Sequence, residues 1–95
     1  MLESAVEKHL RKRMKAINGL ALKWVCPGMS GVPDRICFFP GGRIIFVELK
    51  KPGKKPTKLQ SIVHGWLRDL GCRVETIDNK QDVDLFIEDV MPSEI

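Results

Sequence analysis

The 95-residue chain has no apolar run approaching the roughly 20 residues that span a bilayer. Its first residues, Met1-Leu2-Glu3-Ser4, carry no apolar stretch of the signal-peptide type. No membrane association is expected, and the expected location is cytoplasmic. Cysteine is scarce: Cys26, Cys37 and Cys72 are an odd number, lie far apart and form no CxxC pair. That excludes a disulfide scaffold, argues against a zinc knuckle and suits a reducing compartment. Internal repeats and low-complexity tracts are absent too, so collagenous, coiled-coil and disordered classes fall. The length leaves no room for a second domain, and one domain over residues 1–95 is expected.

Acidic residues are missing from one part of the chain in particular. Residues 1–58 carry 13 Lys/Arg against four acids, a charge of +9, whereas residues 59–95 carry three against eight, a charge of −5. A basic front half is the electrostatic footprint of a polyanion ligand such as nucleic acid. The four acids it retains are Glu3, Glu7, Asp34 and Glu48. Carboxylates in a phosphate-binding surface repel the ligand unless a cation sits between them, so their placement points to a metal site.

Periodicity predicts the element order α-β-β-β-α-β-α, an α/β sandwich built on a mixed sheet flanked by helices. Residues 3–18 read as a helix through Val6, Leu10, Met14 and Ile17. Leu20–Cys26 reads as a strand ended by Pro27-Gly28. Asp34–Phe39 and Ile44–Lys50 read as two strands joined by Pro40-Gly41-Gly42-Arg43, a hairpin signal. After the basic loop Lys51–Pro56, Thr57 offers an N-cap to a helix carrying Leu59, Ile62, Val63, Trp66, Leu67 and Leu70, with Gly71 as its stop. Arg73–Ile77 reads as a short strand, and a last helix carries Val83, Phe86, Ile87 and Val90.

Across a tight hairpin, Asp34 and Glu48 fall close to opposite each other, where partner Cβ atoms lie about 4.5–8 Å apart. Two carboxylates at that separation can share a Mg²⁺ ion, whose oxygen ligands sit at about 2.0–2.1 Å. Side chains alternate along a strand, so Glu48 and Lys50 project from one face while Leu49 turns toward the core. An ammonium so placed can orient an attacking water or stabilise a phosphate in transit. Acid-x-Lys pairs are common on half-exposed strands; the weight comes from Pro33-Asp34 entering one strand and Glu48-Leu49-Lys50 leaving the next. Glu7 lies at the rim of the first helix's buried face and is a candidate third carboxylate. Helical geometry alone does not separate it from Glu3. Gln60, one turn beyond the basic loop, is placed either to touch a phosphate or simply to edge its helix.

The run Gly31-Val32-Pro33-Asp34-Arg35-Ile36, with Gly41-Gly42-Arg43, Phe46-Val47-Glu48-Leu49-Lys50, Pro52-Gly53, Gln60 and Gly71, resembles the virus-type replication–repair nuclease (VRR-NUC) family of the PD-(D/E)xK superfamily. The resemblance spans almost the whole chain. It implies a restriction-endonuclease-like fold and Mg²⁺- or Mn²⁺-dependent hydrolysis of DNA phosphodiesters. It also implies Asp34, Glu48 and the Leu49 main-chain carbonyl as metal ligands, Glu7 as the glutamate of the first helix, Lys50 as the catalytic lysine and Gln60 as the glutamine of the following helix. Stand-alone members of such a family, phage- or bacterium-encoded, resemble Holliday-junction resolvases. Two symmetric cuts need two active sites, so a homodimer acting on branched DNA is expected. A flap or nicked-duplex nuclease of the same fold and a non-catalytic basic binding module are the alternatives.

The remaining candidates carry less. Lys51, Lys54, Lys55 and Lys58 are placed to contact phosphate beside the metal site, and Arg11, Lys12, Arg13 and Lys15 to extend that track along the first helix. His9 and His64 have no partner at ligand or triad spacing and are expected as solvated or boundary helix residues. Trp24 and Trp66 have core or interface periodicity rather than that of a base-stacking platform.

Overall fold

The computed structural model describes residues 3–92 and contains α1 (Ala5–Ala16), β1 (Leu20–Lys23), β2 (Arg35–Phe39), β3 (Arg43–Leu49), α2 (Lys58–Asp69), β4 (Val74–Ile77) and α3 (Lys80–Val90). The order is the one that periodicity predicts. The strands lie in the sheet order β1-β2-β3-β4, with β1/β2 and β2/β3 antiparallel and β3/β4 parallel. The parallel step follows from the connection: a strand that returns through a helix can re-enter alongside its predecessor, whereas the short turn between β2 and β3 cannot.

Strand alternation sorts the side chains into two layers. Ala21, Cys37, Phe39, Ile45, Val47 and Ile77 turn to one face and bury against Leu10 and Met14 of α1 and Val83, Phe86, Ile87 and Val90 of α3. Each large apolar side chain so buried contributes about 1.5–3 kcal/mol, which makes this layer the principal source of stability. Phe39 meets Phe86 edge-on, with ring centroids 5.7 Å apart. His9 Nε2 lies 2.7 Å from Asp84 Oδ1, and Arg13 reaches the same oxygen, which ties α1 to α3. The opposite face carries Glu48 and receives α2, whose Val63 and His64 are buried. That helix covers only part of the face. Leu20 and Ile44, at the two ends of the cross-strand row Leu20–Phe38–Ile44, remain 58% and 49% exposed.

Most boundaries shift by one or two residues from expectation, and the ladder explains the differences at β1 and β2. β1 ends at Lys23 rather than Cys26, because its partner β2 runs out: the Trp24 N–H makes one more bond, to the Asp34 carbonyl (2.8 Å), before the chain departs. β2 correspondingly starts at Arg35, which leaves Asp34 at its lip. Trp24 instead packs on Phe46, centroids 5.1 Å apart. Trp66 is 54% exposed on the outside of α2. Among the described residues no helix is long and apolar enough to cross a membrane.

Candidate active site

The β2/β3 register pairs Arg35 with Val47, so Asp34 and Glu48 are the next pair at the open end of the hairpin. Pro33 is buried, and Gly31 at φ +93° lets the incoming loop lie against α2, where a Cβ would meet Val63 Cγ2 at 3.0 Å and the Leu59 carbonyl at 3.2 Å. The loop is thereby seated, and Asp34 is delivered to the strand end. Asp34 Oδ2 accepts the Leu49 backbone N–H at 2.8 Å. That bond holds the aspartate against the last residue of β3.

Glu48 is 1% exposed, an unusual position for a carboxylate. Its Oε2 lies 3.1 Å from Lys50 Nζ and accepts Gln60 Nε2 at 3.0 Å. Oε1 is buried and has no hydrogen-bond partner among the described residues. Burial and the neighbouring Asp34 charge push the Glu48 carboxyl above its ordinary value, while the Lys50 ammonium and the Asp34 backbone N–H pull it back. As predicted from strand alternation, Lys50 shares the face of Glu48, and Leu49 packs toward the core.

Gln60 joins the site to the helix start. Thr57 and Gln60 form a capping box, in which Thr57 Oγ1 accepts the Gln60 N–H (3.2 Å) and Gln60 Oε1 accepts the Thr57 N–H (2.9 Å). The same Oε1 accepts Lys50 Nζ at 2.7 Å. One amide therefore caps α2, holds the lysine and donates to the glutamate.

The first-helix carboxylates go elsewhere. Arg35 alternates to the α1 side of the sheet, where its Nη2 reaches Glu7 Oε2 (3.1 Å) and Glu3 Oε2 (3.2 Å) and its Nη1 donates to the Ala21 carbonyl (3.1 Å). Glu7 thus lines a cleft of about 440 Å³ with Leu49, Lys50, Lys51 and Pro52. Among the described residues no three His, Cys, Asp or Glu side chains assemble into a group able to hold a metal ion. Glu7 is held by Arg35, while Asp34 and Glu48 meet at the strand end. The donor set still fits a divalent cation. Two carboxylates face one another, one with a buried oxygen left over, and their mutual repulsion is what a cation between them relieves.

His64 departs from expectation. It is 1% exposed rather than solvated, with Nε2 buried, unpartnered among the described residues and 4.0 Å from Glu48 Oε1. Its spacing four residues after Gln60 is the sequence signal that could have found it. Arg35 had a comparable signal, since the residue after Asp34 must point away from the Asp34 side. Of the predicted basic contacts, Lys51, Lys54, Lys55 and Lys58 are exposed around the loop, which Asp78 anchors by accepting the Gly53 N–H (2.8 Å). Lys12 and Lys15 are exposed on α1, whereas Arg11 is engaged by both oxygens of Glu3 (2.6 Å each).

No family model matches the chain. Over 78 residues, 82% of its length, it is 47% identical to "Putative nuclease p44" of Acyrthosiphon pisum secondary endosymbiont phage 1, of which it covers 84%. A solved structure described as a VRR_NUC domain aligns over 87% of this chain and 90% of its own, with a TM-score of 0.83 and 36% sequence identity. Sequence identity and a shared mixed sheet agree over nearly the whole length: the chain belongs to the VRR-NUC nuclease family and has its restriction-endonuclease-like fold.

Proposed function

We propose that the chain is a divalent-metal-dependent endonuclease that hydrolyses phosphodiesters in branched DNA, with Asp34, Glu48, Lys50 and Gln60 as its working residues. One observation carries the reading: a nearly inaccessible Glu48 faces Asp34 at a strand end and is clasped by a lysine and a glutamine, with one oxygen left unpartnered. Burying a carboxylate in this way is costly for the fold alone and is reasonable where the group has chemistry to perform. Asp34 and Glu48, with the Leu49 carbonyl, would hold Mg²⁺ or Mn²⁺. When bound, such an ion supplies Lewis-acid polarisation of the scissile phosphate and neutralises charge developing on it.

The chain's own groups do the rest. Lys50 Nζ, with its side chain 17% exposed, opens toward the cleft and orients the attacking water, its direction fixed by Gln60 Oε1 and Glu48 Oε2. The exposed Lys51, Lys54, Lys55 and Lys58 draw the DNA backbone across this mouth, and Lys12 and Lys15 continue the positive surface along α1. Glu7, released from Arg35, would complete the ligand set from the far wall of the cleft. A homodimer belongs to this reading. Leu20 and Ile44 on the uncovered sheet face, with Ile62 and Trp66 on α2 and Leu70 at its C-cap, are apolar and exposed, which supports self-association and a pair of sites for symmetric cuts.

The test compares four-way, flap and linear DNA with Mg²⁺ and with EDTA. Nicking of the branched forms in Mg²⁺ alone is expected, with loss in Asp34→Ala and Lys50→Ala. Full activity in either variant, or in EDTA, refutes the assignment. Sizing of the DNA-free protein is expected to give a dimer.

A further inference from the structure

We propose that His64 is a positioning residue for Glu48: with Gln60 one helical turn before it, His64 fixes the second oxygen of the carboxylate and so sets how Glu48 faces Asp34. The inference rests on the nuclease reading and extends it to a group outside the recognised motif. Gln60 and His64 are four residues apart on the buried side of α2, and both address the same carboxylate. Gln60 Nε2 donates to Oε2, and His64 Nε2 lies 4.0 Å from Oε1. His64 Nε2 and Glu48 Oε1 are both buried, both unpartnered among the described residues, and 4.0 Å apart.

Two such orphans side by side are rare in a folded interior, because each leaves a desolvation cost uncompensated. Apolar packing does not account for the choice of residue: a leucine would fill a similar volume without that cost. What imidazole adds is a donor. The imidazole can present an N–H at Nε2 toward the carboxylate, which no aliphatic side chain of that size can do. A movement of about 1 Å brings that N–H into hydrogen-bond range of Oε1. With both oxygens held from α2, the carboxylate cannot rotate about its terminal torsion, which is otherwise soft. Groups that orient a metal-ligating side chain in this way are commonly worth about 10–100-fold in metal affinity.

The experiment measures Mg²⁺ and Mn²⁺ binding to the DNA-free full chain by calorimetry, together with thermal unfolding and cleavage kinetics. His64→Leu is expected to melt at or above the wild-type temperature in EDTA, yet to bind the ions about 10–100-fold more weakly. Its kcat should fall with little change in KM for DNA. His64→Gln, which keeps an amide donor, should recover most of the affinity. A stable His64→Leu protein with wild-type ion affinity overturns the proposal. Should His64→Leu not fold, His64→Gln is compared with His64→Met, its near-isostere. Equal ion affinities overturn the proposal, and a tenfold or greater advantage for Gln supports it. A wild-type chain that binds neither ion overturns the nuclease reading, and the positioning role falls with it. A metal-binding wild type matched by His64→Leu removes the positioning role alone.

Discussion

Gly31 and Gly28 lie in the same loop with nearly the same backbone, at φ +93° and +86°, but in different surroundings. Alanine at Gly28 meets nothing within 4 Å and carries only the left-handed backbone cost of about 1–2 kcal/mol. At Gly31 the same methyl would sit 3.0 Å from Val63 Cγ2, 3.2 Å from Leu59 Cγ and 3.2 Å from the Leu59 carbonyl. That carbonyl belongs to a capped helix and cannot retreat cheaply, so overpacking adds about 1–3 kcal/mol. Gly31→Ala should therefore cost about 3 kcal/mol and Gly28→Ala about half of that. For a domain of this size the melting temperature should fall on the order of 15–20 °C in the first and on the order of 5–10 °C in the second. Parallel thermal melts followed by circular dichroism read the difference directly. Because Gly31 precedes Asp34 by three residues, the Gly31 variant should also cleave more slowly at a temperature where both proteins are folded. Equal melting temperatures for the two variants, or a larger loss at Gly28, would refute the claim that contact with α2 seats this loop.

Other outcomes follow from the same geometry. Glu48 has its folded-state carboxyl raised, so its contribution to the stability of the metal-free protein is fully present below the ordinary value of 4.5 and is lost as pH rises through the raised one; the difference between wild type and Glu48→Gln in urea melts in EDTA should show that decline. Burial pushes the Cys37 thiol up to about 12, so a thiol reagent at pH 8 should modify Cys26 and Cys72 in the native protein and Cys37 only after unfolding. Replacing Lys54 and Lys55 together by alanine should weaken DNA binding and lower the slope of log affinity against log salt by up to about 0.9 for each phosphate that is no longer neutralised. Leu10→Ala, at a fully buried position between α1 and the core, should cost about 2–5 kcal/mol in denaturant titration.

The element order and half of the site were legible because they depend on local periodicities. The two-residue repeat puts Glu48 and Lys50 on one side of β3, and the short hairpin brings Asp34 opposite, whatever the rest of the chain does. Thr57 announces a helix start as an N-cap residue. Glu7 and His64 depend instead on which face of the sheet each helix covers, and helical periodicity is silent on that choice. With α1 on one face and α2 on the other, Glu7 meets the outgoing Arg35, while His64 lands beside Glu48. The length of β1 was similarly illegible, since a strand extends only as far as its neighbour offers partners.

The dual engagement of Gln60 Oε1, by the Thr57 N–H and by Lys50 Nζ, makes the first turn of α2 a reporter for the site. Whatever pulls Lys50 toward a ligand changes how firmly that turn is closed. Amide hydrogen exchange at the start of α2 should therefore respond to occupancy some distance from where a ligand binds. For the same reason residue 60 is a poor place to redesign specificity, because any replacement is selected at once for chemistry and for initiating a helix.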